Sequence, residues 1–195
     1  MKKTYSVQKL TVAALLIAVG IVIPMFSPVK IILEPASFTL ASHVPIILSM
    51  FISPLVAVAV TIGTTLGFFL GGFPLVVVLR AASHIVFAFF GALYLQKNPG
   101  ILYSWPKLFT FSFAIAAVHA VCEVFVVSMF YAAGGMGGLY YQQGFFISVM
   151  LLVGIGTIVH SMVDFAISIV VLKVLNKQKS LQNLFVTGQV KATTS

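Results

Sequence analysis

Long apolar runs alternate with short polar interruptions along almost the whole chain. The first, LTVAALLIAVGIVIP from Leu10 to Pro24, contains no charge. A hydrocarbon core about 30 Å thick needs about 20 helical residues to cross it. On that scale the runs predict spans over 7–27, 38–53, 54–73, 74–96, 107–132 and 145–175. His43, Pro45 and Pro54 interrupt the second and third, which only a Ser53-Pro54 turn separates. A broken hairpin is the alternative form for those two.

Composition turns this pattern into a class. Hydrophobic residues make up 61% of the 195 residues and charged residues 7%, against about 25% charged in soluble domains. The chain is predicted to be an all-α integral membrane protein of six transmembrane helices. Residues 1–178 form one membrane domain, and residues 179–195 form a polar cytoplasmic tail. The basic start followed by an apolar run resembles a secretory signal, but the further runs favour an uncleaved first span. Cys122 is the single cysteine and lies in an apolar segment, so no disulfide can form within the chain.

Charge then orients the spans. With the N-terminus inside, Lys2, Lys3, Lys9, Lys97, Lys107, Lys173, Lys177, Lys179 and Lys191 fall on the cytoplasmic side, and Lys30 alone falls outside. That asymmetry follows the positive-inside rule and places both termini in the cytoplasm. The formal net charge of +8 is thereby read as orientation and attraction to anionic inner-leaflet lipid. It gives no reason to expect nucleic-acid binding.

Two outer segments are candidate lids. SPVKIILEPASFTLASH, with Lys30, Ser37 and Thr39, is part apolar and rich in hydroxyls; it either closes a site or simply packs on its neighbours. YAAGGMGGLYYQQGFF carries Gly134, Gly135, Gly137 and Gly138, which permit mobility, and Tyr140 and Gln142 as polar groups. Small residues also recur at four-residue intervals. Gly63, Gly67 and Gly71 clear one helix face for close packing, and Ala14 and Ala18 do so more weakly in the first span.

The ionisable residues inside the spans point to a site, because a charge at membrane depth costs about 2.5–3.5 kcal/mol on insertion scales. Arg80 and His84, His119 and Glu123, and His160 and Asp164 each stand four apart, so each pair shares a helix face. Three such faces on the last three spans predict one polar interior. Helical rise puts Arg80 and Glu123 at a common level in the outer half, with His119 and His160 nearer the midplane and Asp164 deeper. Arg80, the only arginine, is suited either to hold a ligand carboxylate or to neutralise Glu123 or Asp164. The carboxylate anchor is the preferred reading, and Asp164 is read as a structural partner of His160.

On these features the chain resembles the substrate-binding S components of energy-coupling factor (ECF) vitamin transporters. The resemblance covers about residues 5 to 178 and rests on size, six spans, Ala14-x-x-x-Ala18, and VKIILEPASFTLASHVPIILSMFISP. Within the family the chain looks most like the pantothenate type, with the niacin type close behind. The resemblance implies that vitamin binds near the outer face at Arg80, His84, His119, Glu123 and His160, under lids from the two loops. It implies docking of a transmembrane coupling protein on Ala14 and Ala18. ATP would be used by two ATP-binding partner subunits, with no cofactor in this chain, which has no nucleotide motif. The nickel and cobalt members of the family use an N-terminal histidine, whereas this chain begins Met1-Lys2-Lys3, so no metal is expected. A different class, an intramembrane metal-dependent enzyme, would use the HxxxE and HxxxD pairs, but their spacing identifies no third ligand.

Overall fold

A computed structural model describes residues 7–33 and 36–186. Helix α1 spans Val7–Phe26. A two-stranded antiparallel hairpin follows, β1 Lys30–Leu33 and β2 Ala36–Thr39, with Lys30 opposite Thr39. Next come α2 Val44–Met50, α3 Pro54–Leu70 and α4 Leu75–Lys97. A short 3-10 helix, Pro99–Tyr103, leads into α5 Trp105–Ala132. The chain then runs through α6 Gly138–Phe145, a π-helical stretch Phe146–Ile155 and α7 Gly156–Leu175, before the single turn α8 Lys179–Gln182.

Among the described residues six helical units thus lie in the expected order, counting Gly138–Leu175 as one and leaving aside the short 3-10 helix and α8. Four are long and apolar enough to cross a membrane: Val7–Phe26, Leu75–Lys97, Trp105–Ala132 and Gly138–Leu175. Helix α3 is shorter at 17 residues. The expected second span over 38–53 is not a span. Its start is strand β2 and its remainder is the seven-residue α2, about 10 Å of helix at 1.5 Å per residue. Pro45 suits the first turn of α2, and the residues from Pro45 to Met50 are all buried. The apolar run is therefore explained by enclosure within the protein, which hydropathy cannot tell from enclosure by lipid.

Local chemistry fixes the boundaries. Ser53, in extended conformation, caps α3 by accepting from the Val56 N–H at 3.3 Å, and Pro54 follows at the first helical position. Gly72 takes φ +73 in the α3–α4 turn, a left-handed conformation that costs glycine little.

Helices α1 and α3 pack through the small-residue face expected from the sequence. A Cβ at Gly67 would stand 2.6 Å from the Ile21 carbonyl oxygen, and one at Gly63 would stand 2.7 Å from Ile17 Cγ2. This glycine row works inside the molecule. Ala14 and Ala18 lie on the opposite side and are exposed, as are Leu15, Val19 and Val22.

The main apolar core gathers α2, the start of α3, the second half of α4 and the cytoplasm-assigned halves of α5 and α7. It also includes Leu184 and Phe185. The Val186 N–H donates to the Phe51 carbonyl at 2.8 Å. Up to Val186, therefore, the segment read as a polar tail folds back against the domain; residues 187–195 lie outside those described. A second apolar cluster, with Val76, Val77, Val127, Val149 and Val153, occupies the other end. Between the two clusters lies the polar interior.

Candidate functional site

Glu123 of α5 is the centre of one half of the site. Arg80 Nη2 of α4 donates to its Oε2 at 2.7 Å, and the Thr157 hydroxyl of α7 donates to the same oxygen. His84 Nε2 meets Oε1 at 3.2 Å, and His119 Nε2 lies 3.3 Å from Oε1, without hydrogen-bond alignment. Arg80, His84, His119 and Glu123 are each no more than 4% exposed. The guanidinium thus pairs with Glu123, the alternative weighed beside a carboxylate anchor. A buried charge without such a partner would be far more costly than the pair.

Asp164 of α7 is the centre of the other half. It accepts the Ala41 N–H at 2.9 Å, the His43 N–H at 3.0 Å and His43 Nδ1 at 2.9 Å. His160 Nε2 lies farther from it, at 3.6 Å. Asp164 is structural as expected, but its principal partner is the turn before α2, and pairing with His160 is secondary. Because the carboxylate only accepts, His43 Nδ1 carries the hydrogen of this bond and Nε2 points away from Asp164.

All four histidines of the chain converge here. The His43 ring centroid lies 4.8 Å from that of His84, 4.7 Å from His119 and 4.9 Å from His160, and the His84 and His119 rings are 4.4 Å apart. One ring nitrogen from each of His43, His84 and His119 lies within 4.8 Å of the others; His43, His160 and Asp164 form a second such group. Helical spacing supplied two candidate ligands per pair, and the fold adds a third.

Phe38 of β2 lies over this cluster. Its ring is 5.5 Å from that of His160, edge-on, and its Cζ would be 2.7 Å from a Cβ at Gly156. Glycine there lets the ring settle on the start of α7. Phe38, Ser42, His43, Phe68, Val77, Arg80, Ala81, His84, His119, Glu123, Thr157 and His160 enclose a cavity of about 20 Å³, room for about one water or ion. The site is closed.

The five expected ligand residues, Arg80, His84, His119, Glu123 and His160, therefore share one cavity. The first loop contributes to it through Phe38 and, just beyond, Ser42 and His43, while Thr39 is buried nearby at 1% exposure. The side chains of Lys30 and Ser37 lie outside the described residues. The second expected lid stands apart: Tyr140 and Gln142 belong to α6 and do not line the cavity. In that segment the Tyr141 hydroxyl donates to the Tyr131 carbonyl at 3.0 Å, the Ser148 hydroxyl donates to the Tyr140 carbonyl at 2.9 Å, and Tyr131 and Met136 pack on the second apolar cluster.

Sequence reasoning missed His43, Thr157 and Phe38 as site residues. His43 carried a usable signal, an ionisable side chain inside an apolar run, but no ionisable residue stands four away from it. Thr157 and Phe38 carried none, since threonine and phenylalanine are ordinary in membrane helices and loops.

No family model and no solved structure matches the chain. It is 41% identical over 175 residues, 90% of this chain and 78% of the relative, to the niacin transporter NiaX of Lactococcus lactis subsp. cremoris strain MG1363. That relative is a transporter, and the enzymatic reading of the HxxxE and HxxxD pairs gives way to it. The chain belongs to the NiaX family of multi-pass membrane transporters, S components of the energy-coupling factor class.

Proposed function

We propose that this chain is the niacin-capturing subunit of an ECF-type importer. The observation that carries the choice of vitamin is its 41% identity, over nearly its full length, to a niacin transporter. It moves the best reading from pantothenate, the first expectation from sequence, to the alternative. The site agrees in kind. Its wall combines the aromatic rings of Phe38, Phe68 and four histidines with a guanidinium, which suits a flat aromatic ring bearing one carboxylate.

Capture requires the cavity to open, and the hairpin carrying Phe38 is the element that covers it. Arg80 then exchanges part of its bond to Glu123 for the incoming carboxylate, while Thr157 and His84 continue to hold Glu123. Energy comes from outside the chain, from a transmembrane coupling protein docked on the exposed Ala14–Ala18 face and from two subunits that hydrolyse ATP. The lysine-rich end faces the cytoplasm, so the site opens outward.

Mass spectrometry of small molecules retained by the purified protein, followed by calorimetric titration, tests this reading. Nicotinate is expected to bind with at least tenfold preference over pantothenate. Arg80→Lys keeps the charge but loses the planar fork, and is expected to weaken nicotinate binding about tenfold while the protein still inserts. Equal or stronger binding of pantothenate would overturn the choice of vitamin.

A further inference from the structure

We propose that His43, His84 and His119 hold a divalent transition-metal ion of the zinc type, whose open coordination position takes one oxygen of the captured vitamin's carboxylate while Arg80 takes the other. The metal site rests on the structure alone; its role in capture rests on the niacin reading above.

Each of the three rings has one nitrogen at a carboxylate and the other available. His43 Nδ1 is bonded to Asp164, which leaves Nε2. His84 Nε2 meets Glu123 and His119 Nε2 lies beside it, while Nδ1 of both rings is buried without a hydrogen-bond partner. Buried polar nitrogens without partners are uncommon and costly. Carboxylate, imidazole and metal in series is the usual way in which metal-ligating histidines are oriented. Three histidines with a fourth position open are a known ligand set for zinc.

Size and charge agree. Nitrogens on one tetrahedral ion stand about 3.4 Å apart, given metal–nitrogen bonds of about 2.0–2.1 Å. One nitrogen of each of the three rings lies within 4.8 Å of the others, so rotation or flipping of the rings has little distance to close. The cavity of about 20 Å³ fits an ion. The alternative group of His43, His160 and Asp164 is less suited, because Asp164 already accepts three hydrogen bonds from the turn at Ala41 and His43. Arg80 is paired with Glu123, and Asp164 with His43, so the interior holds one guanidinium and two carboxylates and offers an anion little net attraction. A dication supplies it.

The test uses the full chain purified in detergent, stripped with a chelator and re-equilibrated with zinc or cobalt. About one zinc per chain is expected by elemental mass spectrometry, with the intense visible absorption of four-coordinate cobalt in the cobalt-loaded sample and a raised melting temperature. His84→Asn with His119→Asn is expected to abolish uptake. Nicotinate is expected to bind at least tenfold more weakly to the stripped protein than to the loaded one. Absence of stoichiometric uptake and of the cobalt band in the wild type overturns the proposal without recourse to any variant. Uptake that survives loss of both histidines also overturns it, as does equal nicotinate affinity with and without metal. Nicotinate binding by the stripped protein separates these failures from failure of the vitamin reading, which alone predicts binding there.

Discussion

Asp164 fastens the turn that precedes α2 to α7 with three hydrogen bonds, and within that turn Ala41 adopts φ +66. A left-handed alanine is uncommon and holds only where its surroundings impose it. Asp164→Ala would leave two backbone N–H groups and His43 Nδ1 without their acceptor. At about 1–3 kcal/mol for each buried unsatisfied group, the loss is roughly 3 kcal/mol or more. For a chain of this size that lowers the melting temperature by roughly 6–12 °C, readable by thermal unfolding in detergent. Asp164→Asn keeps an acceptor and should lose about half as much. An equal effect of the two variants would mean that shape, not acceptance, is what the turn requires. The sequence showed Asp164 sharing a helix face with His160, but a contact across 121 residues to His43 leaves no mark in local spacing.

At the scale of elements, the hairpin meets the cavity through Phe38, and capture as proposed needs it to move. Phe38→Ala would remove the ring that lies on His160 and Gly156. It is expected to speed nicotinate release at least tenfold in stopped-flow exchange, with a smaller change in the rate of binding. Gly156→Ala should act in the same direction, because the added methyl occupies the place of the Phe38 ring. Unchanged release in both variants would show that closure does not depend on this contact. The hairpin was expected as a loop that either closes a site or packs on its neighbours. Its strands pair Ile31 with Phe38 and Ile32 with Ser37, but the paired runs are short and apolar, and join the hydropathy of α2 without a break. For the same reason the second span was drawn where a buried helix of seven residues stands. The long helices α4 and α5 were legible almost to their ends, since each is a long, mostly apolar run, α4 bounded by Pro74 and Asn98 and α5 opened by Pro106 and closed before Gly134.

For the whole molecule, the distribution of work between faces is the central feature. Glycines on α3 meet α1 on its inner side, and Ala14 and Ala18 are left exposed on its outer side. If that outer face receives the coupling protein, Ala14→Leu with Ala18→Trp should prevent copurification with the coupling and ATP-binding subunits. Isolated nicotinate binding should stay within about twofold, because both positions are remote from the cavity. Copurification that survives both substitutions would move the docking surface elsewhere. Fold class and the shared polar interior were readable because periodicity places ionisable residues on common faces. Closure of the cavity was not, because it depends on how far four helices and a hairpin approach one another.

The bond between Arg80 and Glu123 also bears on how the protein is made. The two residues are 43 positions apart, and at about 5–20 residues per second the ribosome takes roughly 2–9 s to reach the second after the first. During that interval α4 carries a guanidinium that has no carboxylate of α5 to meet. An insertion cost of about 2.5–3.5 kcal/mol for a charge at mid-membrane disfavours release of α4 into lipid by itself. Helices α4 and α5 should leave the translocation machinery together, as a hairpin already neutral at its centre.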